Sequence, residues 1–514
     1  MSGLPAPVQP QPGASHRRPA RVDAHPAAAG VPTQPRRSDL TVDLAEPGSE
    51  RRWQQLQQLR RGLVDADAWL QALADGSLAP EPDLLAALIP GLDRSRVEAL
   101  LASELAAEPG LLVKAALPDW PARAVQPACR EAWLEPLLHH VAVADSAHQL
   151  GWLPLLGLFR EPRVARLLRE TVHRHLTAEA AWGLLPLLGL QRQPQDGALL
   201  VRLAVEPGPL QRRHQALEGL ALGLSAWPQA VLVPGLSALV TDLDPAVAAK
   251  AVDLLARLPV GAVALRQGLT RALDPEILAR VQRRLRCSPL VLLVHGRHGG
   301  HIPDELQQLA ADVAARRGAP VLLQALTAAQ STPDPEVWPA ARRARALTLV
   351  PLLLLPGGHV RSDLPRLASQ WQVATRAQGV ALRRRPFLGA WPAWQAALAQ
   401  ALARRQELDH RRALWLHHPL QGALARRFVG HLSAVLGCPA VSTPYESPLR
   451  GFADQPLERT LLLPLTLAAN RLSETLDLEL QSATMAQDQP EVLPPLLGWT
   501  DLRRFLLTTL VQLP

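Results

Sequence analysis

Leu290-Val-Leu-Leu-Val294 runs directly into His295-Gly-Arg-His-Gly-Gly-His301, and Leu347-Thr-Leu-Val-Pro-Leu-Leu-Leu-Leu355 runs into Pro356-Gly-Gly-His359-Val-Arg-Ser-Asp-Leu-Pro365. Each is a short apolar run bounded by glycine, the pattern of a buried parallel strand followed by a loop that comes close to a ligand. In open α/β sheets ligands sit at the carboxyl ends of such strands. Two imidazoles at matching strand ends would face one crevice, where they can hold a divalent metal or take protons near neutral pH.

The surrounding rhythm agrees with a parallel sheet. From Ser288 the spacing predicts strand 290–294, helix 303–317, strand 319–325, helix 335–345, strand 347–355, helix 363–378, strand 380–385 and helix 392–405. Alternation of this kind places helices on both faces of the sheet. A weaker second copy follows. Arg412-Ala-Leu-Trp-Leu416 runs into His417-His418, and Thr460-Leu-Leu-Leu-Pro-Leu-Thr-Leu467 meets Ala-Ala-Asn470-Arg471 where the first copy has Gly357-Gly358-His359-Val360. No histidine follows this second strand, so His417 and His418 read as the remnant of a site that no longer works, or as the far wall of the cleft.

A strand ending in His-Gly, followed about 60 residues later by Val350-Pro-Leu-(Leu)n-Pro-Gly-Gly-His359-Val-Arg-Ser-Asp-Leu-Pro365, resembles the CbiX-type sirohydrochlorin chelatases, an ATP-independent class of tetrapyrrole chelatase. The resemblance implies that His295 and His359 form the metal-insertion site and act as its catalytic pair. It implies a substrate of the sirohydrochlorin type, rich in carboxylates, and Co²⁺ or Fe²⁺ as the metal inserted, in cobalamin or siroheme biosynthesis. The family usually reads His-Gly-Ser-Arg where this chain reads His295-Gly296-Arg297-His298, so no role of that serine carries over.

Arg297 and Arg361 flank the crevice and are the candidates for contacting substrate carboxylates, since arginine forks grip carboxylates in pairs of bonds. Gly357 and Gly358 let the second loop approach the substrate. Asp363 is placed to cap the helix that begins after His359, or to support a histidine by a hydrogen bond. His298 and His301 read as solvated loop residues, with metal collection as the other possibility. Arg383, Arg384 and Arg385 read as a solvated run. Neither a Walker A nor a GxGxxG sequence is present, so no nucleotide is expected.

With 514 residues, the chain exceeds one ordinary core. Four segments are expected: a disordered Pro/Ala/Arg-rich tail over 1–48, a helical-repeat domain over 49–285, a chelatase-like α/β lobe over 286–408 and a degenerate second lobe over 409–514. The tail's basic start also allows an organelle transit peptide, against which Asp39, Asp43 and Glu46 soon follow. In the helical segment Gly151-Trp-Leu-Pro-Leu-Leu-Gly157 is echoed by Gly183-Leu-Leu-Pro-Leu-Leu-Gly189, and Leu232–Val240 with Asp244–Ala256 resembles a HEAT-type helix pair. Stacked helix pairs bind protein partners more often than they catalyse; an irregular bundle with one chance echo is the other reading.

The fold class is therefore multidomain: an N-terminal all-α helical repeat, HEAT-like, then an α/β chelatase-like part of two duplicated parallel-sheet lobes. The net charge of +8 is almost wholly arginine, Lys114 and Lys250 being the lysines. Genome base composition explains such a bias as readily as substrate binding does. Dispersed arginines with five Phe and one Tyr give little to stack bases on, which argues against nucleic acid. No apolar run approaches the roughly 20 residues of a membrane span, and no secretory h-region opens the chain. Cys129, Cys287 and Cys438 are isolated, which fits a reducing compartment and excludes a CxxC metal site. A cytoplasmic enzyme is expected. The alternative is an inactive tetrapyrrole- or metal-binding scaffold that uses its repeats for protein interaction; a HEAT-repeat chromophore lyase rests on repeat type alone.

Overall fold

The structure, a computed structural model, describes residues 44–328, 336–409, 411–444, 446–452, 457, 459–482 and 490–514. The tail expected over 1–48 lies outside the described residues as far as residue 43. Two compact units divide at Gly91–Leu92. The first holds helices Glu50–Arg60, Ala66–Ala74 and Pro82–Leu88, and Arg52 of the first helix is 4% exposed and bonded to Glu81 and Asp83 at the start of the third. A buried guanidinium needs such carboxylates to replace its lost water.

The second unit begins with stacked helices. Their cross-links recur at nearly constant chain separation. Trp120 Nε1 donates to Leu155 O 35 residues away, Gln191 Nε2 to Gly157 O and Trp227 Nε1 to Gln193 O each at 34. Ion pairs span a shorter step of their own, Arg169 with Asp196 at 27 and Arg213 with Asp242 at 29. The echo at Gly189 has a packing cause. A Cβ there would lie 2.0 Å from Gly219 O, so helices Leu185–Gln191 and Leu210–Gly223 cross backbone to backbone.

The α/β part holds two four-stranded sheets. The first comprises β1 (Leu290–Val294), β2 (Val321–Ala325), β3 (Ala346–Pro351) and β4 (Ala381–Arg384) in the order β2-β1-β3-β4; the second comprises β5 (Arg412–His417), β6 (Ala440–Ser442), β7 (Thr460–Pro464) and β8 (Glu491–Val492) in the order β6-β5-β7-β8. All pairings are parallel. Identical strand orders make the second lobe a structural copy of the first. The helices are α1 (Asp304–Arg317), α2 (Val337–Ala344), α3 (Leu364–Ala377), α4 (Pro392–Asp409), α5 (Ala423–Leu436), α6 (Arg471–Ser482) and α7 (Thr500–Gln512).

Alternate side chains of β1 and β3, Val291, Leu293, Leu347 and Leu349, pack on α2 and α3 through Ala341 and Trp371. The run expected as strand 347–355 leaves the ladder after Pro351. Its continuation stays buried because Leu352 N bonds Leu293 O and Gly389 N bonds Leu353 O. Gly389 is required there, since a Cβ would lie 1.8 Å from Leu354 O. Among the described residues no helix is long and apolar enough to cross a membrane.

The last helix, α7, returns to the first lobe and packs on α1 and α4. Arg317, fully buried at the end of α1, closes this junction. Its Nη1 donates to Leu510 O, Val511 O and Leu513 O at 2.6–3.0 Å, and its Nη2 to Ser288 O at 2.7 Å. Leu510 O and Val511 O belong to the last turn of α7, at its negative end, and Leu513 O follows it directly. Replacing Arg317 by Met removes four buried hydrogen bonds to carbonyls at once. We expect Arg317→Met to cost about 3 kcal/mol or more, read as a lower urea midpoint; an unchanged midpoint would show that the junction does not depend on this side chain.

Candidate active site in the cleft between the lobes

Neighbouring parallel strands lie about 4.8 Å apart, so β1 and β3, paired from Leu290↔Thr348 to Leu293↔Pro351, release their following loops side by side. That pairing brings His295 and His359 together, with ring centroids 4.6 Å apart and planes at 88°.

The loop after β1 turns at Gly296, whose φ of +73° suits glycine, and whose Cβ would strike Ala325. Thr327, just past β2, holds it by donating from Oγ1 to Arg297 O at 2.7 Å and to His295 O at 3.2 Å. The His295 ring donates from Nδ1 to Gly296 O at 2.8 Å. A carbonyl can only accept, so Nε2 carries the lone pair in the neutral ring.

The loop after β3 enters a single π-helical turn, His359–Asp363, ahead of α3. Such turns are frequent at functional sites. Here it brings Asp363 under the imidazole, whose Nδ1 donates to Oδ2 at 2.6 Å. The bond holds the Asp363 carboxyl below its ordinary pKa and leaves Nε2 as the open position of His359. The capping role expected for Asp363 is corrected by the structure. Its backbone is already helical and its side chain makes no cap bond, because the π turn runs continuously into α3.

The second lobe supplies the far wall. His417 ends β5 where His295 directly follows β1, and its Nδ1 donates to His418 O at 2.7 Å in the same way. His417 is 7% exposed, and burial depresses its pKa. His418 is partly buried, with a pKa lowered by burial and then by the nearby His417, His295 and His359 rings. Its Nε2 stands 4.0 Å from where a Cβ on Gly357 would be. Gly358 borders the same space. The two walls face each other across an open cleft lined by His295, His359, His417, His418, Arg297 and Asn470 among others.

The remaining expected residues fall elsewhere. Arg361 is exposed outside the lining, its Nη1 3.1 Å from where Gly422 would carry a Cβ. His298 and His301 are exposed and do not line the cleft. Arg383 and Arg384 are exposed on the edge strand, and Arg385 lies over the Trp391 ring. Arg297 lines the cleft but is already occupied, since Nη2 donates to Glu474 Oε1 at 2.6 Å and Ala469 O at 3.3 Å. Sequence reading missed Thr327 and Glu474. Glu474 stands four residues after Asn470 as Asp363 stands four after His359, a spacing that could have exposed it.

Among the described residues no group of three or more His, Cys, Asp or Glu side chains is placed to hold a metal ion. What the cleft offers is a pair of imidazoles whose Nδ1 atoms are engaged, by Gly296 O and by Asp363, and whose Nε2 atoms make no hydrogen bond among the described residues. Two ligands hold a divalent ion loosely enough to pass it on, unlike a closed four-ligand site.

Because His417 and His418 are depressed below 6.5, the unfolded chain binds protons that the folded one refuses. Stability is therefore full above that value and falls as pH drops below about 6.5. Thermal melts between pH 7.5 and 5.5 should show this acid loss, and His417→Gln should reduce it; an equal loss in the variant would assign the effect to other groups.

The CbiX family model matches residues 289–405. Among solved structures, sirohydrochlorin chelatase SirB of Bacillus subtilis subspecies spizizenii, in complex with cobalt, is 16% identical over 43% of this chain and 93% of its own, with a TM-score of 0.32. CbiX, given as the terminal enzyme for siroheme biosynthesis in denitrifying bacteria, is 22% identical over 44% of this chain and 98% of its own, at 0.29. Haemophilus influenzae LpoA is 13% identical over 85% of this chain and 78% of its own, at 0.21. No curated protein matches the chain. Between its stacked helices and its second lobe the chain thus carries a CbiX domain over residues 289–405, the stretch that holds both His295 and His359.

Proposed function

We propose that this protein is an ATP-independent, sirohydrochlorin-type chelatase that inserts Co²⁺ or Fe²⁺ into a carboxylate-rich tetrapyrrole, in cobalamin or siroheme biosynthesis, and acts in the cytoplasm. The observation that carries this reading is the imidazole pair, 4.6 Å apart and matched to a CbiX domain, facing a cleft that a second lobe closes.

The chemistry follows from the lone pairs. Insertion exchanges one divalent ion for two pyrrole N–H protons. His295 and His359 receive the ion through Nε2, with coordination positions left over for pyrrole nitrogens. As those nitrogens take the metal, each imidazole regains its lone pair and can accept one displaced proton, giving two imidazolium rings and a neutralised macrocycle core. Asp363 steadies His359 during both steps through its bond to Nδ1. No nucleotide enters this scheme. The stacked helices are assigned to a protein partner, and a chain lacking residues 288–514 should keep that partner while losing insertion.

The test follows the visible spectrum of sirohydrochlorin with the purified protein and Co²⁺ or Fe²⁺. The wild type should convert it well above the protein-free rate, His295→Ala and His359→Ala should not, and the faster ion identifies the metal. Spectra that shift on binding without progressing would leave an inactive tetrapyrrole-binding scaffold instead. Asp363→Asn, which keeps the shape but loses the charge behind His359, should cut the rate about 10- to 100-fold; a rate within twofold of wild type would remove Asp363 from the mechanism.

A further inference from the structure

The second lobe keeps the framework of the site but not its imidazole. Asn470 and Glu474 open α6 after β7 as His359 and Asp363 precede α3 after β3, and β7 and β3 hold equivalent places in their sheets. In the first lobe the carboxylate holds a histidine. In the second, Asn470 Oδ1 instead accepts from Ser473 N at 3.1 Å and caps the helix. Glu474 is left with no ring to support, and its Oε1 accepts from Arg297 Nη2 at 2.6 Å, 177 residues away and two residues past His295.

This pair sits at the cleft, since Arg297, Ala469 and Asn470 all line it. Both bonds from Arg297 leave through Nη2; Nε and Nη1 make no hydrogen bond among the described residues. The side chains are 41% and 48% exposed. An ion pair so open to water holds by no more than about fivefold. The guanidinium can therefore begin a bond to a second carboxylate through its free edge and then release Glu474.

Building on the chelatase reading, we infer that Arg297 and Glu474 form a carboxylate-exchange latch across the cleft mouth, in which a carboxylate of the entering macrocycle displaces Glu474 from Arg297. Closed, the latch ties the loop of His295 to the second lobe. Open, it hands the same guanidinium to a polycarboxylate substrate beside the histidine pair. Glu474 is then a positioning residue that competes with the substrate and selects for macrocycles bearing acidic side chains.

The experiment titrates metal-free sirohydrochlorin into the full chain and follows its absorbance, so it does not depend on turnover. Glu474→Gln removes the competitor and should tighten binding about two- to fivefold. Arg297→Met should weaken it about tenfold or more, and in that background Glu474→Gln should change nothing. A merely structural contact predicts the opposite sign, because loosening the lobes would weaken binding. Weaker or unchanged affinity in Glu474→Gln, or tightening that persists without Arg297, overturns the latch. If neither the wild type nor any variant binds sirohydrochlorin saturably, the chelatase reading falls and the latch falls with it.

Discussion

The parallel pairing of β1 with β3 is the constraint on which the site depends. Two strands that are neighbours in a ladder must release their following loops within one strand spacing of each other. With a histidine at the end of each, the rings meet, although His295 and His359 are 64 positions apart in the chain. The strands that enforce this are buried throughout, and the continuation of β3 past Pro351 is held by Leu352 N on Leu293 O and by Gly389 N on Leu353 O. The loops can be open and glycine-rich because the framework beneath them is rigid.

Duplication explains the cleft, and divergence explains its asymmetry. Equal strand orders place His417 and Asn470 in the second lobe where His295 and His359 stand in the first. Both His295 and His417 spend Nδ1 on the next residue's carbonyl. His417 is nevertheless sealed in the wall, which fits structural support more than proton traffic. His418 and Asn470 line the open space from the same side, with Glu474 turned toward Arg297. The second lobe is thus a wall with its own chemistry.

The lobes are held to the rest of the chain by polar contacts at backbone ends. Arg317 gathers the carbonyls that close α7, and Ser288 Oγ donates to Pro514 O at 2.6 Å beside the root of β1. The stacked helices reach the same junction, where Gln282 Nε2 donates to Ala315 O at 2.7 Å. The strand carrying His295 is therefore braced from behind by both the C-terminal helix and the helical array.

Local signals were enough for much of this. Apolar runs of strand length, glycines at their ends and helix-spaced stretches between them determined the order of elements, the parallel sheets and the two-lobed plan, because each is set by short-range periodicity and burial. The same signals singled out His295 and His359, since a polar residue at the end of a buried strand has few other places to go. The role of Asp363 was only half legible. A separation of four residues suits either a cap or a partner, and the π turn decided for the partner. The brace from Thr327, the approach of His418 and the capture of Arg297 by Glu474 belonged to the tertiary structure alone. Each joins elements far apart in the chain, and what brings them together is sheet order and the docking of one lobe on the other, which no spacing along the sequence encodes.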